Sequence, residues 1–545
     1  MENIQAIFSS DLTWIILLPL LGSLIVYVSP TKQSRWIALA FSAAVFVLSL
    51  TVFFRILGTG KGFGDLQNLR DAVDVGWINF QAGSVNFKID YFLGVDGLSL
   101  PMVILNGLLT MLAVIGGWEK KRAKEYLALL LFLEAGVMGV FMALDLFLFF
   151  LFWEVELAPM FLLIGFWGSD TIKHGMPGRI YSAWKFLLYT FFGSVFMLIG
   201  IILLYLHQQG SSATASMQYL ALPANMVTGN IQLPLTDVTM SLQLLIFLLI
   251  FIAFAVKIPM FPFHTWLPDA HTDAPTEVSV ILAGVLLKMG AYGLIRVCFT
   301  LFPVGVHDFA GWLAVIAVIN ILYGAAICLV QTDMKKLIAY SSVSHMGIIL
   351  LGVAAAAGAG NGIFQGAGDE AFRTAALTGA TIQMFSHGII TSLLFFCVGV
   401  IYDHAHTREI SVFGGIAKRT PMLATLFTFA AMASLGLPGL AGFVAEYMVF
   451  TSSFRIWTIP TTVAVFTMIL TAAYLLWMIK RVFFGPFNPR WSWLPDANLR
   501  ELIPLLALAG LIVFVGIYPA PLIDVITNSV QAIMANWHTA IAVVR

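Results

Sequence analysis

The sequence predicts an all-α polytopic membrane protein of about fourteen transmembrane helices, built as two inverted five-helix repeats with one discontinuous helix in each. Three observations predict it. Of 545 residues 60% are hydrophobic and only 10% charged, and the mean hydropathy is +0.93, which leaves too little charge for a water-facing surface. Apolar stretches recur from end to end, each long enough to cross the roughly 30 Å of a bilayer core. Two of them are interrupted by proline or glycine close to a buried charge, the sequence mark of a transporter with its working site at mid-depth.

Windows of about 19 residues place spans near 12–29, 36–57, 95–117, 125–144, 145–167, 181–206, 240–266, 274–300, 309–330, 335–356, 375–401, 421–452, 459–479 and 501–521. The first is read as a span and not a signal peptide, because Glu2 and Asp11 precede it where a basic region belongs and no small-residue cleavage site follows. Residues 522–540 are mildly amphipathic and suit a surface helix. The chain divides into a three-helix segment, 1–124, a first repeat, 125–300, a second repeat, 301–484, and a C-terminal helix and tail, 485–545. The loop 207–239 and the segment 357–374, rich in glycine and alanine, are longer than such a fold needs.

Charge sets the orientation. With the N-terminus outside, seventeen Lys and Arg fall on inward loops, among them Lys120, Lys121, Arg122, Lys124, Lys173, Lys335 and Lys336. Eight fall outward, including Arg55, Lys61, Arg70, Arg296 and Arg545. The excess of positive charge inside directs both termini outward. The remaining three of the 28 basic residues, Lys185, Lys257 and Lys288, lie inside spans, as do Glu134, Glu154, Glu156 and Glu446. Each such residue costs a few kcal/mol or more at the bilayer centre, so seven of two signs demand a joint use. A net charge of zero gives no reason to expect nucleic acid as a partner. Cys298, Cys328 and Cys397 have no metal-ligand spacing and read as inert core residues, and no phosphate-cradling loop or Ser/His/Asp nucleophile signature is present.

The interrupted stretches are "AVKIPMFPFHTWLPDAH", next to Lys257, and "ASLGLPGLAGFVAEYMVF", next to Glu446. Proline removes a backbone hydrogen bond and clashes with the preceding turn, and the freed groups tolerate water only in a protein-lined cavity. Glu154, in "FFLFWEVELAPM", is the natural partner of Lys257. Glu156 is two residues on and points roughly the other way, which leaves Lys185 as its candidate partner. His345 and His387 lie near span centres, where imidazole can relay a proton through either ring nitrogen. In sequence order Glu154, Lys257, Lys288, His345, His387 and Glu446 form a candidate line of proton carriers. The structural alternative for the lysines and acids is a set of buried ion pairs, which stabilise poorly. His264 and His271, in the proline-rich loop, suit helix capping, Lys185 suits snorkelling to the interface, and Glu134 suits a local hydroxyl or water partner.

The same residues carry a resemblance. "FWE", "HTWLPDAH", "LAGVLLKMGAYGLIR", "TDMKKLIAYSSVSHMG" and "LPGLAGFVAEY" resemble the antiporter-like subunits of respiratory complex I, NADH:quinone oxidoreductase, and of its photosynthetic counterpart. The likeness covers essentially the whole chain. It implies a fourteen-helix fold with two inverted repeats, an acid matching Glu154 paired with the lysine matching Lys257, a connecting lysine at Lys288, and a terminal acid at Glu446. Most sister subunits carry lysine at that last position, so glutamate favours the subunit M branch. The resemblance further implies a proton-translocating role without redox chemistry in this chain. NADH, FMN, iron–sulfur clusters and quinone are then expected in other subunits, with antiporter-like neighbours on both sides and the lipid bilayer as partners. The membrane would be a bacterial inner membrane or a thylakoid. Multisubunit Na+/H+ antiporters and membrane-bound hydrogenases belong to the same superfamily and are the alternative reading.

Overall fold

The computed structural model describes residues 2–58, 72–82, 85–211, 227, 230–232, 239–358 and 369–544. Lys61, Arg70, Arg545, most of the 207–239 loop and much of 357–374 lie outside the described residues.

Among the described residues, twelve helices are long and apolar enough to cross a membrane, and two shorter apolar ones, Leu242–Lys257 and Pro421–Ser434, begin the interrupted elements. Together they reproduce the fourteen expected segments. In chain order they follow α1, Glu2–Ser9, as α2, Asp11–Val28, and α3, Thr31–Gly58. A hairpin, β1, Val73–Ala82, with β2, Val85–Leu93, precedes α4, Leu100–Gly116, and α5, Ala123–Met142. The next span is bent into α6, Leu146–Val155, and α7, Leu157–Trp167. After the two-residue strands β3, Ile172–Lys173, and β4, Met176–Pro177, comes α8, Gly178–Ser211. Strands β5, Asn230–Gln232, and β6, Thr239–Ser241, lead into α9, Leu242–Lys257, α10, Trp266–Asp273, and α11, Thr276–Phe299. The second half comprises α12, Pro303–Cys328, α13, Met334–Ala357, α14, Asp369–Ala405, α15, Pro421–Ser434, α16, Ala441–Ile456, α17, Thr458–Ile479, α18, Leu499–Ile517, and α19, Ala520–Val544.

Burial separates an inner set from an outer one. The apolar windows of α11 and α14 are 100% buried and that of α13 is 94% buried, whereas α3 buries 28%. These three most buried helices are those that carry Lys288, His387 and His345, so the charges sit in the protein core and not against lipid. Helix α19 lies across the face opposite the basic loops. There Ser529 Oγ accepts from Gly97 N at 2.8 Å, and Trp537 stacks on Phe299 with ring centroids 5.5 Å apart.

Each break has a local cause. Pro259 offers no N–H to the Ala255 carbonyl, which takes the Met260 N–H instead at 2.9 Å. Asn320 on α12 then satisfies the loosened backbone, accepting from Phe261 N at 2.7 Å and donating to Pro259 O at 3.2 Å. The second break, between α15 and α16, turns on Gly436 and Gly439 with φ of +72° and +88°, a region open mainly to glycine. The bend at Glu156 was not expected. Pro159 has no N–H for the Val155 carbonyl four residues before it, and α6 ends at Val155.

Candidate functional site

Lys257 is the last residue of α9, directly before the break, and its side chain is 1% exposed. Its ammonium pairs with the carboxylate of Glu156, itself wholly buried. The rings of Trp153 and Phe186 lie 5.3 and 5.5 Å from Nζ and complete the enclosure. This corrects the expected pairing of Glu154 with Lys257. The bend between α6 and α7 places Glu156 toward α9 and α5, where the Gly136 backbone leaves it room, while Glu154 faces Ser194 on α8. Glu154 remains within electrostatic reach of both Lys257 and Glu156, while the direct ion pair of Lys257 is with Glu156.

The expected pair of Glu156 with Lys185 is not formed. Lys185 Nζ bonds Asp269 Oδ2 at 2.7 Å, because Asp269 on α10 comes within reach of α8 once the chain has broken at Pro259. Lys173 bonds the same Asp269 at 3.1 Å and Asp273 at 2.7 Å, tying the β3/β4 turn to α10. Burial opposes the Lys173 charge, but the carboxylates of Asp273 and Asp269 outweigh it and hold the ammonium above its ordinary lysine value.

Lys288 stands between two π-helical turns, Leu282–Leu286 and Leu294–Phe299. The wide turn frees the Ala283 carbonyl, which accepts from Lys288 Nζ. Nζ also lies 2.7 Å from Nδ1 of His387. Two close crossings bring these groups together. A Cβ at Gly290 would lie 3.0 Å from Ile258 N and 3.1 Å from Lys257 Cβ, which sets α11 against the end of α9. One at Gly388 would lie 2.8 Å from the Gly284 carbonyl, which sets α14 against α11. Beyond His387, the His345 ring follows at 5.5 Å between centroids. His345 Nδ1 is 3.3 Å from Glu446 Oε1, and its Nε2 is 3.2 Å from Ser434 Oγ. A Cβ at Gly436 would fall 2.6 Å from Glu446 Oε2, so the glycine at the second break is also what admits the carboxylate.

Of the predicted residues the structure brings together Lys288, His387, His345 and Glu446 in one contact series, and Glu154, Glu156 and Lys257 in a second cluster beside it. Lys185 stands apart. His271 makes no cap: it is fully buried, stacks on Phe395 at 4.6 Å, and neither ring nitrogen has a hydrogen-bond partner. Glu134 is fully buried with both carboxylate oxygens unpartnered. Two cations assigned to loops are buried as well. Arg296, near the end of α11, is 2% exposed and paired with Asp96. Lys335, also 2% exposed, donates to Ala274 O at 2.7 Å. Their positions at span ends hid them from hydropathy windows.

Three comparisons with known proteins show the family and the fold. Residues 143–471 match the family described as NADH:quinone oxidoreductase/Mrp antiporter, TM. A relative from Rhodobacter capsulatus named NADH-quinone oxidoreductase subunit M is 39% identical over 512 residues, 93% of this chain and 91% of its own. One from Microcystis aeruginosa named NAD(P)H-quinone oxidoreductase chain 4 2 is 38% identical and covers 98% of this chain and 95% of its own. A chain of respiratory complex I from Thermus thermophilus superposes with a TM-score of 0.79 at 25% identity, covering 96% of this chain and 99% of that one. A chain of an Mrp complex from a Dietzia species shares the fold at a TM-score of 0.75 and 21% identity, covering 97% and 99%.

Proposed function

Because the chain belongs to the NADH:quinone oxidoreductase/Mrp antiporter transmembrane family, we propose that it is a proton-translocating membrane subunit of a donor:quinone oxidoreductase. On this reading it performs no redox chemistry and conducts protons on energy released in other subunits. Two inverted repeats, 125–300 and 301–484, each contribute a broken helix. The basic face points inward, and both termini lie on the periplasmic or lumenal side, as the loop charges favour.

The observation that carries the reading is the contact series Lys288, His387, His345 and Glu446, which runs within buried helices from the side of the Glu156/Lys257 pair. With Lys288 donating to Nδ1, the proton of neutral His387 sits on Nε2. A second proton delivered at Nδ1 therefore releases the first at Nε2, toward His345 and on to Glu446. The switch is the ion pair. While Glu156 holds Lys257, the ammonium is neutralised at its own site. When a neighbouring subunit shifts that pair, the exposed positive charge of Lys257, one helix away, disfavours the Lys288 ammonium and drives its proton to His387. Glu154 is a second carboxylate that can take Lys257 as Glu156 releases it. Glu446 in place of a lysine favours the subunit M branch over sister subunits.

Lys257→Met tests the reading in membranes carrying the assembled complex. Loss of pumping and of coupled electron transfer, with assembly retained, is the expected result. Pumping at the wild-type rate would reduce the buried charges to scaffolding.

A further inference from the structure

On the basic face, away from the Glu156/Lys257 pair, a cavity of about 340 Å³ opens between the ends of α4 and α14 and the start of α18. Its lining includes Gly116, Lys120, Asp403 and Glu501. Directly behind Gly116 lies Glu277, whose side chain is 3% exposed. A Cβ at Gly116 would stand 3.1 Å from Phe396 Cε1, 3.2 Å from Glu277 Cγ and 3.6 Å from its Oε1, so the glycine in the cavity wall lies directly against the carboxyl group, with the Phe396 ring beside it. Tyr126 on α5 donates to Glu277 Oε2 at 2.9 Å. Lys120, about a quarter exposed in the cavity wall, is 3.2 Å from Oε1 and 3.9 Å from Asp403 on α14. Lys335 on α13 and Asp403 itself are also within electrostatic reach of Glu277. Neither a core acid nor a surface pair is built this way: the carboxylate is buried, its cation reaches water, and the wall between it and the cavity includes a glycine.

We propose that Glu277 is a proton-uptake residue, loaded from this cavity past Gly116 and discharging along the seam between α11 and α14 to Lys288. The inference rests on the proton-translocating reading above. Glu277 and Lys288 are eleven residues apart on α11, about 16 Å along a helix. Across that interval α14 packs closely on α11 through small residues: Gly399 against Thr276, Ser392 with its Oγ 3.5 Å from Val280 O, and Gly388 against Gly284. The Glu277 carboxylate takes a proton from hydronium in the cavity, leaving water. The neutral acid passes that proton through water in the seam to the Lys288 amine after His387 has taken one from it. Glu277 returns to a carboxylate held by Lys120 and Tyr126, and Lys288 to an ammonium. Burial pulls against the Lys120 charge, but Glu277 and Asp403 outweigh it and keep the ammonium above its ordinary value. Lys120 therefore stays a fixed positive partner across the working range.

Pumping by the complete complex in vesicles, measured from pH 6 to 8.5 for Glu277→Gln, tests the inference. Expected is a loss that grows with pH, several-fold at the alkaline end where protons are scarce and slight at the acid end, with partial rescue by Glu277→Asp. A purely structural glutamate would lower pumping by the same factor at every pH, and that result, or a wild-type profile, overturns the inference. Lys120→Gln, at a partly exposed position, should show the same pH-dependent loss and decides the matter if Glu277→Gln does not assemble. Lys257→Met in the same preparation separates the two ideas. If it pumps normally, the translocation reading fails; if it does not while Glu277→Gln is unaffected, only the uptake site fails.

Discussion

Replacing Glu156 by glutamine removes the partner of an ammonium that is 1% exposed. Breaking a buried ion pair on one side costs about 3–5 kcal/mol, because the other charge is left without compensation. Here part of that is recovered. Glu154 remains in electrostatic reach of Lys257, and the Trp153 and Phe186 rings at 5.3 and 5.5 Å contribute on the order of 1 kcal/mol to holding the cation. A net cost of about 2–4 kcal/mol on the step that uses the charged pair corresponds to a fall of about 30- to 1,000-fold. Glu154→Gln leaves the direct pair intact, and its effect should be smaller by about tenfold or more. The assay is the initial rate of dye-reported acidification in vesicles, normalised to assembled complex on native gels. If Glu156→Gln retains more than half of wild-type pumping while Glu154→Gln abolishes it, Glu154 is the working partner of Lys257 and the switch described here is wrong.

Three further outcomes follow from single contacts. His387→Phe keeps the ring volume but removes the 2.7 Å acceptor of Lys288, and pumping should fall at least about tenfold with assembly retained. Gly436→Ala meets both a φ of +72° and a Cβ 2.6 Å from Glu446 Oε2, so it should cost about 1–3 kcal/mol, seen as a lower melting temperature of the purified complex. Arg296→Gln strands Asp96 in a site where both side chains are 3% exposed or less. It should lose about 3–5 kcal/mol and most of the assembled protein, and the double replacement with Asp96→Asn should recover part of that.

The membrane fold was legible because bilayer thickness imposes a length on every apolar run, and the two breaks were legible because proline and glycine announce them. The members of the series Lys288, His387, His345 and Glu446 were foreseen, since they are costly in lipid whatever their partners. Their order was not: sequence order puts His345 next to Lys288, whereas the structure sets His387 beside Lys288 and His345 beside Glu446. Which carboxylate meets which lysine was not foreseen either. Glu154 and Glu156 differ by the bend that Pro159 creates, and a straight-helix reading of a spacing of two assigns them the wrong way round. Lys185 found Asp269 only because the chain returns after Pro259, a tertiary event with no local trace. Arg296 and Lys335 sit at the ends of spans, where hydropathy alone cannot tell a loop cation from a buried one. Glu277 escaped notice for the same reason, one residue inside the start of α11.

The most direct test of the central claim is the number of protons moved per electron in vesicles whose complex carries Lys288→Met. Lys288 is the joint between the Glu156/Lys257 cluster and the histidines, and methionine preserves its apolar stem without the exchangeable proton. The account predicts a ratio lowered by the contribution of this subunit, with the remainder of the complex assembled. An unchanged ratio at wild-type turnover would contradict it, because protons would then be crossing without passing Lys288.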